Sequence, residues 1–223
     1  MAMRVYTVET GGKYVSVDEG MSRLLPGEKR GVYINLTNRC NCACTFCLRG
    51  LKHMGEEATL WYGDEEPTAE DFKKDLAAVP WEKVSEAVVC GFGEPTMRQG
   101  ELCELLRFVK ETHPEIPTRL NTNGLGNLEH GRDITKDFAG LLDTISISLN
   151  ASNAERYLAL TRSRHGIESF DAMLDFAVRA KAYIPHVVMT VVDKVEDAEE
   201  IARCRKICDE KGLTLRVRAY EGN

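Results

Sequence analysis

Cys40-Asn41-Cys42-Ala43-Cys44-Thr45-Phe46-Cys47 puts four cysteines within eight residues, directly after the apolar run Val32-Tyr33-Ile34-Asn35-Leu36. Read together, Cys40, Cys44 and Cys47 have the spacing C-x3-C-x2-C, with the aromatic Phe46 just before the last cysteine. Several chemistries compete for such a stretch. Structural zinc favours closed tetrahedral sulfur sites, but these usually split their ligands into two knuckles, and no second C-x2-C follows. An ordinary ferredoxin cluster takes four thiolates, and Cys42 could supply the fourth. A disulfide fits poorly, because most of these pairs are too close along the chain to bridge without strain.

The rest of the composition bounds the answer. The 223 residues suit one domain with one sizeable core. A net charge of −6 without a basic run argues against a stable nucleic-acid partner. No apolar run reaches membrane-spanning length, so no membrane partner is expected. The N-terminus lacks the apolar core of a signal peptide. Eight scattered cysteines do not read as a secreted disulfide scaffold. A reducing cytoplasm is the expected compartment. Cys90 and Cys103 read as core positions, and Cys204 and Cys208 share a face at i,i+4 on a predicted helix.

Outward from the cysteines, strands and helices alternate. Residues 4–17 predict a small hairpin turning at Gly11-Gly12, and residues 1–26 are expected as an N-terminal extension before a domain over 27–223. Strands are expected at 31–36, 87–90, 118–122, 144–150, 186–192 and 213–220. Helices are expected at 67–78, 101–112, 135–142, 154–160, 169–183 and 197–211. Leu48–Glu66 is a long connection of the kind that is often functional. Strand–helix alternation predicts a parallel sheet with right-handed crossovers. Six such units are too few for an eight-stranded barrel. The expected fold class is therefore α/β: a partial, open (β/α)6 barrel with a small N-terminal β-hairpin.

Strand side chains alternate faces. Ser146, Ser148 and Asn150 oppose Ile145, Ile147 and Leu149. Arg119, Asn121 and Asn123 share a face, as do Tyr33, Asn35 and Thr37, and Arg216, Arg218 and Tyr220. Strands buried on both faces read as near-continuous apolar runs, so the polar rows are expected to line a lumen that holds a polar ligand. In βα barrels the active site lies at the C-terminal ends of the strands. The cysteines, Gly91–Pro95, Asn121–Gly124, Ser148 and Asn150, Val192-Asp193 and Arg218–Tyr220 all follow or end strands. Arginine forks suit carboxylates or phosphates, so Arg119, Arg216, Arg218 and Tyr220 are the candidate substrate contacts, for an anionic small-molecule or nucleotide-like substrate.

The C-x3-C-x2-C spacing resembles that of the radical S-adenosylmethionine (SAM) enzymes. The resemblance implies that Cys40, Cys44 and Cys47 hold three irons of a [4Fe-4S] cluster, that SAM chelates the fourth, and that its reductive cleavage gives a 5′-deoxyadenosyl radical. Cys42 departs from the usual pattern and is expected to be a spectator. Gly91-Phe92-Gly93-Glu94-Pro95 resembles the family's GGEP segment, interrupted by Phe92, which in the family receives the SAM amino group. Thr122-Asn123-Gly124 resembles a segment after the third strand. Ser148 and Asn150 stand where relatives contact the ribose or carboxylate, and Val192 where backbone meets adenine. Phe46 and Asn121 complete the cofactor set. A low-potential electron donor of flavodoxin or ferredoxin type is implied. The LTNRC lead-in, the GFGEPT segment and the RVRAYEG ending look like the TatD-associated radical SAM group, and the absence of a long C-terminal extension argues against extra clusters. An activase working on a partner protein, or a non-catalytic metal-binding module, are the alternatives.

Overall fold

Alternation sends Val32 and Ile34 to one face of strand β3 (Arg30–Asn35) and Tyr33 and Asn35 to the other. The computed structural model describes residues 2–51, 59–63 and 65–220. Much of the Leu48–Glu66 connection and the Glu221-Gly222 part of the RVRAYEG ending lie outside them. The chain divides into two compact units, residues 1–39 with 53–120 and residues 40–52 with 121–223.

In the first unit β1 (Val5–Val8) and β2 (Tyr14–Ser16) form the antiparallel hairpin, and β1 also pairs antiparallel with β3. Gly11 and Gly12 at the turn have φ of 85° and 76°, the region glycine enters without steric cost. A short helix α1 (Val17–Ser22), not expected from sequence, follows β2 directly and is capped by the Ser16 side chain. β4 (Val84–Cys90) is parallel to β3, and β5 (Thr118–Thr122) is parallel to β4. Parallel neighbours need a crossover. Helices α3 (Ala69–Ala77) and α4 (Gln99–Thr112) lie within these connections.

Local chemistry explains where these helices begin. Thr68 and Asp71 form a reciprocal capping box at the start of α3. Along α4, Leu102, Leu105, Leu106 and Val109 repeat at helical spacing and are buried. Each such side chain is worth roughly 1.5–3 kcal/mol of burial. Tyr33, Val88 and Arg119 are register partners across β3, β4 and β5 and therefore share a face. Glu86 and Cys90 join that face by alternation.

In the second unit β6 (Thr144–Ser148), β7 (His186–Val192) and β8 (Thr214–Arg218) run parallel. α6 (Ala154–Thr161) and α7 (Ser169–Ala180) link β6 to β7, and α8 (Ala198–Lys211) links β7 to β8. Asn153 and Asp197 cap α6 and α8 through their side chains. Gly212, at φ 61°, ends α8 in the left-handed conformation.

Two expectations change here. Residues 135–142 are not a helix. They hold a 3-10 turn, Thr135–Phe138, while a short helix α5 (Gly126–His130) precedes it. Phe138 and Leu142 are buried at a spacing that mimics a helix, but Gly140, at φ 72°, breaks the run between them. On β8 the apolar row opposite Arg216, Arg218 and Tyr220, made of Leu215, Val217 and Ala219, is not the buried face that alternation implies. Val217 is 39% exposed, whereas Arg218 and Tyr220 are half-buried. Among the described residues β8 pairs with β7 alone.

Candidate functional site

The Gly91–Pro95 turn closes against the end of β3 in the first unit. Gly93 N–H donates to Thr37 O at 2.9 Å, and Glu94 N–H donates to Arg39 O at 2.8 Å. A Cβ on Gly93 would stand 2.2 Å from Arg39 O and 2.6 Å from Thr37 O. Gly91 has φ 145°, and its Cβ would meet Asn35 Oδ1 at 2.3 Å. Both glycines are thus required by close backbone approach. Phe92 donates its N–H to Asn35 Oδ1 at 3.1 Å, and its ring packs edge-on to Trp61 at 5.1 Å in a cluster with Tyr6 and Leu60. The residue that interrupts the glycine pair is therefore a core anchor.

Glu94 is 3% exposed and caps the 3-10 helix Pro95–Arg98. Glu66 is a second carboxylate at this turn, one the sequence did not single out. It accepts from the Thr37 hydroxyl, from Asn38 N–H at 3.0 Å and from Arg39 Nε at 2.9 Å. Burial pushes its carboxyl up, but these donors and the charges of Arg39 and Arg98 outweigh burial and hold it below its ordinary value. Arg98, 8% exposed, donates to Leu36 O and Pro67 O and pairs with Glu101. The segment that leads into Cys40 is thus held by buried and half-buried polar groups. Arg119, expected at a substrate, pairs with Glu86 at 2.6 Å, while its buried Nε has no hydrogen-bond partner among the described residues.

The cysteine loop belongs to the second unit. Its backbone is tied down by Ala43 N–H to Thr161 O, Thr45 N–H to Leu160 O, and Arg164 N–H to Asn41 O, at 2.9, 2.9 and 3.0 Å. Cys47 N–H closes on Cys44 O at 3.2 Å, and a single turn, α2 (Leu48–Leu51), follows. Cys40, Cys44 and Cys47 are partly exposed, and Cys42 is buried. Phe46 is half-buried. Cys42 Sγ lies 3.5 Å from Asn123 Nδ2. Its thiol is pushed up by contacts with the Cys40 and Cys44 sulfurs and by burial, while the Cys42 hydrogen bond pulls Cys44 down despite burial.

Asn123 is joined to this loop, because its Nδ2 donates to Asn41 Oδ1 at 2.6 Å. Asn121 has a buried Oδ1 with no partner among the described residues. Ser148 is half-buried at the end of β6. Asn150 is 6% exposed and left-handed at φ 60°, a conformation uncommon outside glycine. Val192 is half-buried and in register with Arg218. Asp193 N–H donates to Arg218 O at 2.9 Å, and Tyr220 N–H donates to Asp193 Oδ1 at 2.5 Å. Arg216 is exposed. Cys204 and Cys208 are fully buried on α8, and burial first of all pushes their thiols up to about 12 and about 11.

Asn41 and Glu129, which donates nothing to the sequence pattern, were missed by sequence reasoning. Glu129 accepts from Asn41 Nδ2 at 3.1 Å and pairs with Arg164 and His165. Asn41 had a signal, a polar residue trapped between two cysteines; Glu129 had none, lying 88 residues away.

The donor set fits an iron–sulfur cluster: three partly exposed thiols and a buried fourth on one anchored loop. Among the described residues no group of three or more His, Cys, Asp or Glu converges on a single-ion site. The orphaned Asn121 Oδ1 fits a bound polar ligand, since such atoms are rarely left unpaired.

Comparison with known proteins bears on this arrangement. Residues 34–206 match the Radical SAM superfamily. The chain is 32% identical over 199 residues to a GTP 3′,8-cyclase of Corynebacterium glutamicum, covering 84% of this chain and 48% of that protein. It spans about half the length of the curated relatives it matches. The fold resembles Streptococcus suis SuiB bound to the precursor peptide SuiA, with TM-score 0.64 and 18% identity over 91% of this chain and 41% of that one. SuiB bound to S-adenosylmethionine matches with TM-score 0.62 and 19% identity, over 84% and 40%.

The SuiB–SuiA complex corrects the expectation of a small molecule as the substrate partner. That expectation rested on polar strand faces. A polar face hydrogen-bonds a peptide backbone as readily as a nucleotide, so polarity does not choose between them. Among the described residues no helix is long and apolar enough to cross a membrane. The alternating α/β core, the multi-stranded sheet and the match over 34–206 agree with the reading of the cysteine loop, and the chain belongs to the radical SAM superfamily.

Proposed function

We propose that this chain is a radical SAM enzyme in which Cys40, Cys44 and Cys47 hold a [4Fe-4S] cluster and Cys42 does not. The observation that carries the reading is the division of the four thiols. The three at C-x3-C-x2-C spacing are partly exposed, and the fourth is buried against Asn123. A cluster held by Cys40, Cys44 and Cys47 would supply the low-potential electron for reductive cleavage of SAM, and SAM would supply the hydrogen-abstracting group.

The chain's own residues supply position and shelter. The Gly91–Glu94 backbone and the Glu94 carboxylate are assigned to the SAM amino group, with Phe46, Phe92, Asn121, Asn123, Ser148, Asn150 and Val192 completing the cofactor contacts. The buried Asn121 Oδ1, without a partner among the described residues, supports this, since such atoms are rarely left unpaired. Arg218 and Tyr220, half-buried at the end of β8 and joined through Asp193, are assigned with Arg216 and Arg119 to an anionic group of the substrate. The architecture that would bring these contacts together is a partial, open (β/α)6 barrel. The LTNRC lead-in and the GFGEPT segment support placement in the TatD-associated group.

Anaerobic reconstitution with iron and sulfide, followed by SAM and dithionite, tests the proposal. Release of 5′-deoxyadenosine and methionine is expected. Their absence despite an intact cluster would favour a non-catalytic iron–sulfur module.

A further inference from the structure

Glu129 is 12% exposed on the short helix α5, and neither the motif nor the helix explains why a carboxylate is kept there. Burying one is costly unless it is paired and hydrogen-bonded. Its partners are specific. Oε1 pairs with the Arg164 guanidinium, and Oε2 receives Asn41 Nδ2 at 3.1 Å and stands 3.2 Å from His165 Nε2. Asn41 is 2% exposed and is gripped at three points: its Nδ2 by Glu129, its Oδ1 by Asn123 Nδ2 at 2.6 Å, and its carbonyl by Arg164 N–H at 3.0 Å. Asn123 is itself fixed by Leu125 N–H, which donates to its Oδ1 at 3.0 Å. Arg164 therefore holds Asn41 twice, by its own backbone and through Glu129.

Asn41 sits between Cys40 and Cys42, so what fixes it fixes the turn that aims the first ligand. We infer that Glu129 is a positioning residue, acting through Asn41, that sets the geometry of the Cys40–Cys44 turn and the reduction potential of the cluster this turn holds. The physical basis is general. Groups behind the ligands orient them, and net charge and hydrogen bonding around the sulfurs tune the potential of an iron–sulfur cluster. The inference rests on the proposed reading of the loop as a cluster site.

Glu129→Gln keeps the shape and removes the charge; Glu129→Ala removes both. Each is compared with the wild type by iron content after anaerobic reconstitution, by the EPR spectrum of the dithionite-reduced protein with and without SAM, and by redox titration. The expected result for Glu129→Gln is wild-type iron content with a midpoint potential shifted upward. Losing a negative charge near the cluster stabilises its reduced form. Altered EPR g-values are expected with it, and Glu129→Asp should restore part of the shift. Loss of iron in both variants with an unchanged apo-protein melting temperature would equally support positioning. A Glu129→Gln protein with wild-type potential and spectrum overturns the inference, and so does loss of iron together with a collapsed apo-protein melt, which marks a structural brace only. A wild-type chain that fails to take up iron counts against the proposed function instead, before any variant is compared.

Discussion

Glu94 Oε1 receives both the N–H of Thr96, at 3.0 Å, and its hydroxyl, at 2.8 Å. One carboxylate oxygen is thus committed to capping Pro95–Arg98. This sets the terms for testing Glu94 as a SAM contact, because removing it costs structure as well as any ligand. Glu94→Ala is expected to lower apo-protein stability by about 1 kcal/mol, the usual worth of a cap. It should also weaken SAM binding to the reconstituted protein by about 1–3 kcal/mol, the range for a hydrogen bond to a charged group. Denaturant melts and calorimetric SAM titration measure the two separately. Unchanged SAM affinity with the cluster intact would leave Glu94 as a cap alone.

Gly93 and Gly100 make a matched pair. At Gly93 an added Cβ meets backbone oxygens that no rotamer change can move. At Gly100, near the start of α4, it meets open space. Gly93→Ala is expected to destabilise by about 1–3 kcal/mol or more, as overpacking does, and to lower iron uptake. Gly100→Ala should be stabilising by roughly 0.4–1 kcal/mol. Equal melting temperatures for the two variants would contradict the packing described.

Single alanine variants at Cys40, Cys44 and Cys47 should each lose iron and sulfide after reconstitution. Cys42→Ala should retain both, with SAM cleavage. If Cys42→Ala loses the cluster while Cys40→Ala keeps it, the ligand register is wrong.

The carboxyl of Glu66 gives a pH signature. Its value in the folded chain is held below the ordinary one. A depressed carboxyl contributes stability in full above its unfolded value, roughly 4.3, and loses it as pH falls through the folded value. Wild-type apo-protein should therefore lose melting temperature steeply below about pH 4. Glu66→Gln should be less stable at pH 7 and show a shallower acid decline. Parallel curves for the two proteins would remove Glu66 from the acid response.

Arg218→Met tests the anionic group assigned to the substrate. Uncoupled SAM cleavage should persist while coupled turnover of the true substrate is lost. Collapse of SAM binding would move Arg218 to the cofactor, and untouched turnover would end the assignment.

Much of the frame was legible because it rests on local rules. The hairpin at Gly11-Gly12, β5 at 118–122 and β7 at 186–192 follow from turn chemistry and alternation, and all three stand in the structure. Helix 135–142 failed because Gly140, left-handed at φ 72°, breaks the run between Phe138 and Leu142. The C-x3-C-x2-C spacing was legible in the sequence, but the contacts that hold the loop were not. Arg39 and Glu66 are 27 residues apart, and Asn41 and Glu129 are 88 apart. Neither acid has a local pattern around it. Tertiary pairings of this kind emerge only when the chain closes, as the exposure of Val217 also does.

The two fully buried cysteines on α8 bear on how this protein ages in air. Burial pushes the Cys204 thiol up to about 12, so it stays protonated at neutral pH, and thiolate is the form oxidants and alkylating reagents attack. Cys208, near 11, is scarcely more reactive. Cys40, Cys44 and Cys47, all partly exposed, are where chemical damage should begin. Mass spectrometry of briefly aerated apo-protein should therefore find adducts on the 40–47 peptide while the α8 peptide stays intact, a built-in reference for judging how fresh a preparation is.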